Sequence, residues 1–256
     1  MTTKTTRSGY KSCQSLVKGL KLLQELNRSS NGAATVTELS SRLGMHRTTV
    51  KRMLETLVEE DFVYTDHLSN FYRLSHQVQS LSYGFRDSIK IVDIVWPHMM
   101  ALTKELVWPC SYQSLEGHQL VVRASTHAYS VFSFHTGMPG RKLGLMNTAA
   151  GRAYLAYCSD AEREALISMI SRDDPTARTN IPQLVEETRR LGYGRNRAEW
   201  AEEPKFAGVA RPIVQGDTVL GCINMIILNH AISDQDVARF AARLGEVVAT
   251  IQKEIA

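Results

Sequence analysis

Apolar residues in this chain recur three and four positions apart over its first third and two apart in several later runs, so helices come first and strands follow. Leu16, Val17, Leu20, Leu23 and Leu26 fall at helical spacing within residues 13–26. From Thr35 the pattern resumes with Val36, Leu39 and Leu43 on one stripe. Thr35 and Glu38 stand at capping-box spacing, and Gly44 follows where a left-handed C-terminal residue is wanted. Val50, Met53, Leu54, Leu57 and Val58 then form the buried face of a second helix. Setting those aside leaves His46, Arg47, Thr48, Thr49, Lys51 and Arg52 on the exposed side of its N-terminal half. Long donors and small hydroxyls suit phosphates and base edges, so residues 35–61 read as a helix-turn-helix whose second helix enters the major groove. An amphipathic helix pair with a solvated charged face gives a similar pattern. The β-favouring runs 62–64 and 71–74, split by the polar turn 65–70, add a wing that can bring Arg73 or the tip residue His67 to the DNA backbone. Asp66 makes that tip only weakly attractive to phosphate.

Val78, Leu81 and Phe85 are helically spaced around an interrupting Gly84, which predicts a helical linker. A helix over 97–107, rich in Met99, Met100, Leu102 and Leu106, precedes strands 110–115 and 119–126 joined by Glu116-Gly117-His118. A further strand is expected at 130–135. Helices follow over 148–158, 160–170 and 181–191, then strands 206–214 and 218–228 joined through Gln215-Gly216-Asp217, then a helix from Ser233. Short-turned strand pairs with helices grouped between and after them predict an antiparallel sheet covered by helices, and an α+β fold class. The expected domains are a polar, basic arm (1–11), a winged helix-turn-helix (12–75), a linker helix (76–90) and a second domain (91–256). The arm has no signal or anchor character. Lys4 or Arg7 can reach a minor groove from it, but a plain disordered terminus is the favoured reading.

Charge changes this picture in one respect. Residues 1–75 hold 11 Lys and Arg against 7 Asp and Glu, leaving 19 of the 30 basic and 19 of the 26 acidic residues beyond them. The whole excess of +4 lies in the segment expected to read DNA, where phosphate neutralisation needs it. Four charges are few, and suit a dimer better than a monomer.

Enzyme chemistry finds little support. Cys13, Cys110, Cys158 and Cys222 have no CxxC spacing, and the eight histidines include no HxH or HExxH pairing, so no metal site is expected. No glycine-rich phosphate loop or GxSxG elbow is present, and no cofactor is implied. The one small-residue-rich stretch, 144–151, places a helix start near Thr148 whose backbone N–H groups suit an anion.

Several separated blocks resemble the isocitrate lyase regulator (IclR) family of bacterial transcription factors: LVKGLKLLQEL, VTELSSRLGMHRTTVKRMLETLVEEDFV, YRLS, LGLMNTAAGRAYLAY, RRLGYG, GVARPI and VLGCINMIIL. They stand in the family's order over nearly the whole chain. The resemblance implies a winged helix joined by a linker helix to a GAF- or profilin-like effector-binding domain. It implies a homodimer or homotetramer that binds operator DNA; the lack of a signal segment, the charge distribution and the missing motifs add the expectations of a cytoplasmic protein that contacts no membrane and is not an enzyme, and its expected mechanism can engage RNA polymerase. The recognition-helix wording, ELVWP and VVRASTHAYSVFSFHTGMPGRKL look like the branch of activators controlling aromatic-acid catabolism.

Carried over by position, the resemblance places the effector site at Phe132, His135, Leu143, Ala149 and Asn224, with Thr148 and Ala150 at the turn. An aromatic carboxylate needs apolar walls and a few directed polar groups. Phe132, Leu143 and Met146 can supply walls; Arg123, His127 and His135 are the available cations or donors, and Trp200 can close over a ring or fill core. Arg123 is the strongest carboxylate partner, if it does not merely pair with a surface acid. The expected function is an activator sensing a small aromatic carboxylate, with the linker carrying the response. The alternatives are a repressor responding to a small aliphatic acid, a small-acid enzyme fused to a DNA-binding domain, and a ligand-independent architectural DNA binder.

Overall fold

The computed structural model describes residues 12–29, 32–66, 70–81, 89–132, 139–197, 199 and 204–255. The chain divides into two units, Met1–Asp87 and Ser88–Ala256, a division that falls within the segment read as a linker.

In the first unit, α1 (Gln14–Arg28), β1 (Ala33–Ala34), α2 (Val36–Leu43), α3 (Arg47–Glu59), β2 (Val63–Asp66), β3 (Phe71–Leu74) and the single turn α4 (Gln77–Ser80) follow in order. Thr35 and Glu38 form the reciprocal capping box, with Glu38 N to Thr35 Oγ1 at 3.3 Å and Thr35 N to Glu38 Oε2 at 2.8 Å. Gly44 ends α2 at φ 61°, a left-handed conformation that glycine adopts without a side-chain clash. Leu22, Leu26, Leu39, Val50, Leu54, Val63 and Tyr72 make the core. The buried face of α1 includes Leu26 as expected but otherwise differs from the stripe: Leu16, Val17 and Leu20 are exposed, and Leu22 is buried. The three strands pair antiparallel in the order β1-β3-β2; β1 is too short to have shown in the pattern.

The second unit holds α5 (Ile89–Leu106), β4 (Cys110–Glu116), β5 (Gln119–Ser125), β6 (Lys142–Leu143), α6 (Ala149–Tyr157), α7 (Asp160–Ile170), α8 (Ala177–Leu191), β7 (Gly194–Arg197), β8 (Phe206–Gln215), β9 (Thr218–Leu228) and α9 (Asp234–Ile255). Its six strands pair antiparallel in the order β6-β5-β4-β9-β8-β7. Strand alternation sorts their side chains into two cores. Tyr112, Val209, Ile223 and Met225 pack with Met99 of α5 and Phe240 and Leu244 of α9. Leu120, Val122, Ala210 and Cys222 pack with Ala153 of α6 and Ile181 of α8.

The α+β architecture follows the sequence, with several differences besides the unexpected two-residue strand β6. Helix α5 starts at Ile89 and carries Pro97 inside it, because Val95 and Met99 on either side are fully buried and hold the helix through the proline. Helix α8 likewise starts before Pro182, at Ala177. Residues 130–132 are not strand: a 3-10 turn, His127–Tyr129, ends β5, and Ser130 Oγ donates to the Val107 carbonyl at 2.5 Å. The rest of that expected strand, 133–135, lies outside the described residues, as do 82–88 of the expected linker. Edge strand β7, Gly-Arg-Asn-Arg, has no apolar alternation to reveal it.

Candidate functional site

Two surfaces carry candidate chemistry, one in each unit. In the first, α3 begins at Arg47 behind the N-cap His46, whose ring accepts from Thr48 N at 3.4 Å and contacts Thr48 Oγ1 at 2.8 Å. His46 and Thr48 are thus engaged with each other at the helix start, which orients them without removing them from the surface. Arg47, Lys51 and Arg52 are exposed, Thr49 is half-buried, and no carboxylate among the described residues pairs with the three cations. Long free cations on the first two turns of α3 are the arrangement that meets phosphates and base edges in a groove.

Arg73 lies on the wing strand β3. Tyr72 turns into the core, where its hydroxyl donates to Glu55 Oε1 of α3 at 2.8 Å, so alternation puts Arg73 on the opposite face of β3, with its guanidinium 5.9 Å from the Phe71 ring. Burial and the Glu55 bond push the Tyr72 hydroxyl pKa up to about 12. The wing tip at His67 lies outside the described residues, as do Lys4 and Arg7 of the arm.

In the second unit a small cavity of about 30 Å3 lies on the sheet face that packs against α6. Small-molecule sites are roughly 300–1,000 Å3, so the walls must move apart for an acid to enter. Of the expected effector residues, Leu143, Thr148, Ala149 and Asn224 line it. Thr148 is the N-cap of α6: its hydroxyl accepts from Gly151 N at 3.1 Å and donates to the Gly144 carbonyl at 2.8 Å. The helix therefore starts at the cavity wall, where its unpaired N–H groups and dipole favour negative charge.

Other expected residues stand elsewhere. Arg123 is a correction: Val122 takes the cavity side of β5, so Arg123 points away, bonding Ser114 Oγ at 2.8 Å and Glu116 Oε2 at 3.1 Å. Glu116 in turn is held below the usual carboxylate range by Arg123 and Lys142. His127 does not line the cavity either. It is buried beside Ser125 Oγ, and burial, with Arg141 nearby, pulls its pKa down to about 4, so it is neutral at physiological pH and cannot serve as a cation. Ala150 is fully buried in the core, and Met146 packs at its margin with its carbonyl accepting from Arg152 Nε at 2.9 Å. Phe132 stacks on Trp108, ring centroids 4.8 Å apart, away from the cavity. His135 and Trp200 lie outside the described residues.

Apart from Thr148 and Asn224, the cavity's polar lining was missed by the sequence. Ser111 and Asn224 face each other across β4 and β9, Gln113 lies beside them, and Asn196 of β7 stands opposite Gly208 of β8. Val122, Phe206 and Ile226 add apolar wall, and Arg141 is the charged residue among the described lining residues. The visible signal is Ser111, Gln113 and Asn224 interrupting otherwise apolar central strands, all three almost fully buried. Amide floor, apolar wall, one guanidinium and a helix start suit a small acid with an apolar body. Among the described residues no cluster of His, Cys, Asp and Glu offers a metal site, and no helix is long and apolar enough to cross a membrane.

Comparison with known proteins agrees with this two-unit plan. Residues 15–67 match the IclR helix-turn-helix domain, and residues 85–253 match the bacterial transcriptional regulator IclR C-terminal domain. The HTH-type transcriptional repressor AllR of Escherichia coli strain K12 is 26% identical over 191 residues, 72% of this chain and 69% of that protein. The Thermotoga maritima IclR structure superposes with a TM-score of 0.67 at 16% identity, covering 95% of this chain and 99% of that one. An IclR homologue from Microbacterium hydrocarbonoxydans, solved in complex with 4-hydroxybenzoate, gives 0.62 at 16% identity over 94% of this chain and 99% of that one.

Proposed function

Since the chain belongs to the IclR family of bacterial transcriptional regulators, we propose that its cavity binds a small aromatic carboxylate whose occupancy changes the protein's hold on operator DNA. The observation that carries this reading is the pairing of Arg141 and the α6 start with the apolar wall of Val122, Leu143, Phe206 and Ile226 around one cavity. Carboxylate goes to the guanidinium and helix end; the ring goes to the wall. The 4-hydroxybenzoate complex of the Microbacterium homologue supports an aromatic acid. DNA is read by Arg47, Lys51 and Arg52, and two copies acting together, as a homodimer or homotetramer, bring a second recognition helix to a two-fold site.

The aromatic-branch wording of the sequence favours activation, with the occupied protein engaging RNA polymerase. The repressor name of the AllR relatives favours a second reading, in which the unliganded protein blocks a promoter and a small aliphatic acid releases it. A thermal-shift screen of benzoates, phenylacetates, phenylpropionates and cinnamates beside glyoxylate, pyruvate and lactate separates the two, because a specific ligand raises the melting temperature by mass action. A rise confined to the aromatic acids supports the first reading. A rise confined to the aliphatic acids replaces it with the second.

A further inference from the structure

Ser111, Gln113 and Asn224 share a hydrogen-bond network on the cavity floor. Ser111 Oγ donates to Asn224 Oδ1, and Gln113 Nε2 donates both to Ser111 Oγ at 3.1 Å and to Asn224 Oδ1 at 2.9 Å. Asn224 Oδ1 therefore receives two donors, which turns the amide of Gln113 so that its N–H groups face Asn224. Gln113 is only 1% exposed, and its Oε1 has no hydrogen-bond partner. Buried carbonyl oxygens in folded proteins are met by a donor from protein, water or ligand, and an unmet one is unfavourable.

We propose that Gln113 is a specificity-determining residue of this cavity, selecting acids that carry a hydroxyl or N–H donor in addition to their carboxylate. The inference rests on the cavity being an acid site, as proposed above. An amide oxygen repels a carboxylate, so Oε1 cannot meet the acid group. It directs that group towards Arg141 and the start of α6, and it takes a donor from another part of the ligand. An acid lacking the donor fills the same space and leaves Oε1 unmet, which is how a site built around a hydrogen bond rejects an isostere.

The test is calorimetric binding to the full chain of three matched sets: benzoate with 4-hydroxy- and 4-methoxybenzoate, 3-phenylpropanoate with its 3-hydroxy- and 3-methoxyphenyl analogues, and propanoate with lactate. The hydroxylated member of at least one set is expected to bind at least about tenfold tighter than the others of its set. Gln113→Leu and Gln113→Met are each expected to bring that ratio to within about twofold, by weakening the hydroxylated acid. The ligand sets test the proposal even if neither variant folds. Equal binding within every set, or a preference for the methoxy member, overturns the role of Gln113 and leaves the acid site standing. Binding of no acid in any set overturns the acid site and this inference together.

Discussion

Asn196 and Gly208 face each other across β7 and β8, and a β-carbon added to Gly208 would stand 2.8 Å from Asn196 Oδ1 and 3.2 Å from the Ala149 β-carbon. Gly208 thus keeps open the place where two strands and the start of α6 converge. Gly208→Ala is expected to weaken acid binding at least about tenfold with little loss of stability, since the Asn196 amide can turn aside. Gly194→Ala is the contrast: its β-carbon would meet the Ala149 carbonyl oxygen at 2.0 Å, and backbone cannot yield as a side chain does. That variant should lose about 1–3 kcal/mol or more in urea unfolding. Equal behaviour of the two variants would contradict this assignment.

Asn224 accepts from both Ser111 and Gln113. Asn224→Leu removes that acceptor, stranding the buried Ser111 hydroxyl and leaving Gln113 Nε2 only its bond to Ser111 Oγ, at a cost of about 1–3 kcal/mol by denaturant unfolding. Gln113→Leu removes a donor that Asn224 can lose while Ser111 remains, so it should cost less. The reverse order would mean that the network is not centred on Asn224.

The neutral His127 makes stability depend on pH. Its folded pKa, about 4, lies below the ordinary value of 6.5, so the unfolded chain takes up a proton that the folded chain refuses. The contribution is intact above pH 6.5 and is lost as pH falls towards 4, with a slope of at most about 1.4 kcal/mol per pH unit. Melting curves between pH 7.5 and 4.5 should therefore flatten in His127→Asn relative to the parent. Parallel curves would remove His127 from the acid sensitivity.

Arg47 is exposed at the first position of α3. If it reads a base edge, Arg47→Ala lowers affinity for a selected operator by about 1–3 kcal/mol and leaves random DNA nearly unaffected. Equal weakening on both makes it a phosphate contact. Lys51→Ala, by contrast, should act on both and reduce the salt slope by about one.

The DNA-reading unit was legible because its signals are local. Thr35 with Glu38, Gly44 after Leu43, and the apolar face of α3 each lie within one or two helical turns, and the structure realises them directly. The cavity was legible only in part, because its residues come from β4, β5, β7, β8, β9 and the start of α6, and only strand register brings them together. The exchange of Arg123 for Arg141 shows the difficulty. Arg123 follows the apolar strand position Val122 and Arg141 follows the Pro139-Gly140 turn, but which side of β5 faces the cavity depends on pairing with β4, where the register shifts between Tyr112 and Gln113. Gln113 itself was invisible as a lone amide in a strand, and its meaning came from Ser111 and Asn224 beside it.

Under the proposed function, an acid in the second unit's cavity alters DNA binding by the first. Fluorescence anisotropy of a selected operator duplex, titrated with the full chain in the presence and absence of the acid that most raises its melting temperature, tests this directly. An affinity change of about fivefold or more is expected, of the size typical of coupled sites, and Arg141→Ala should abolish it while leaving ligand-free DNA binding intact. Saturating acid that leaves operator affinity unchanged, or an undiminished response in Arg141→Ala, would contradict the account.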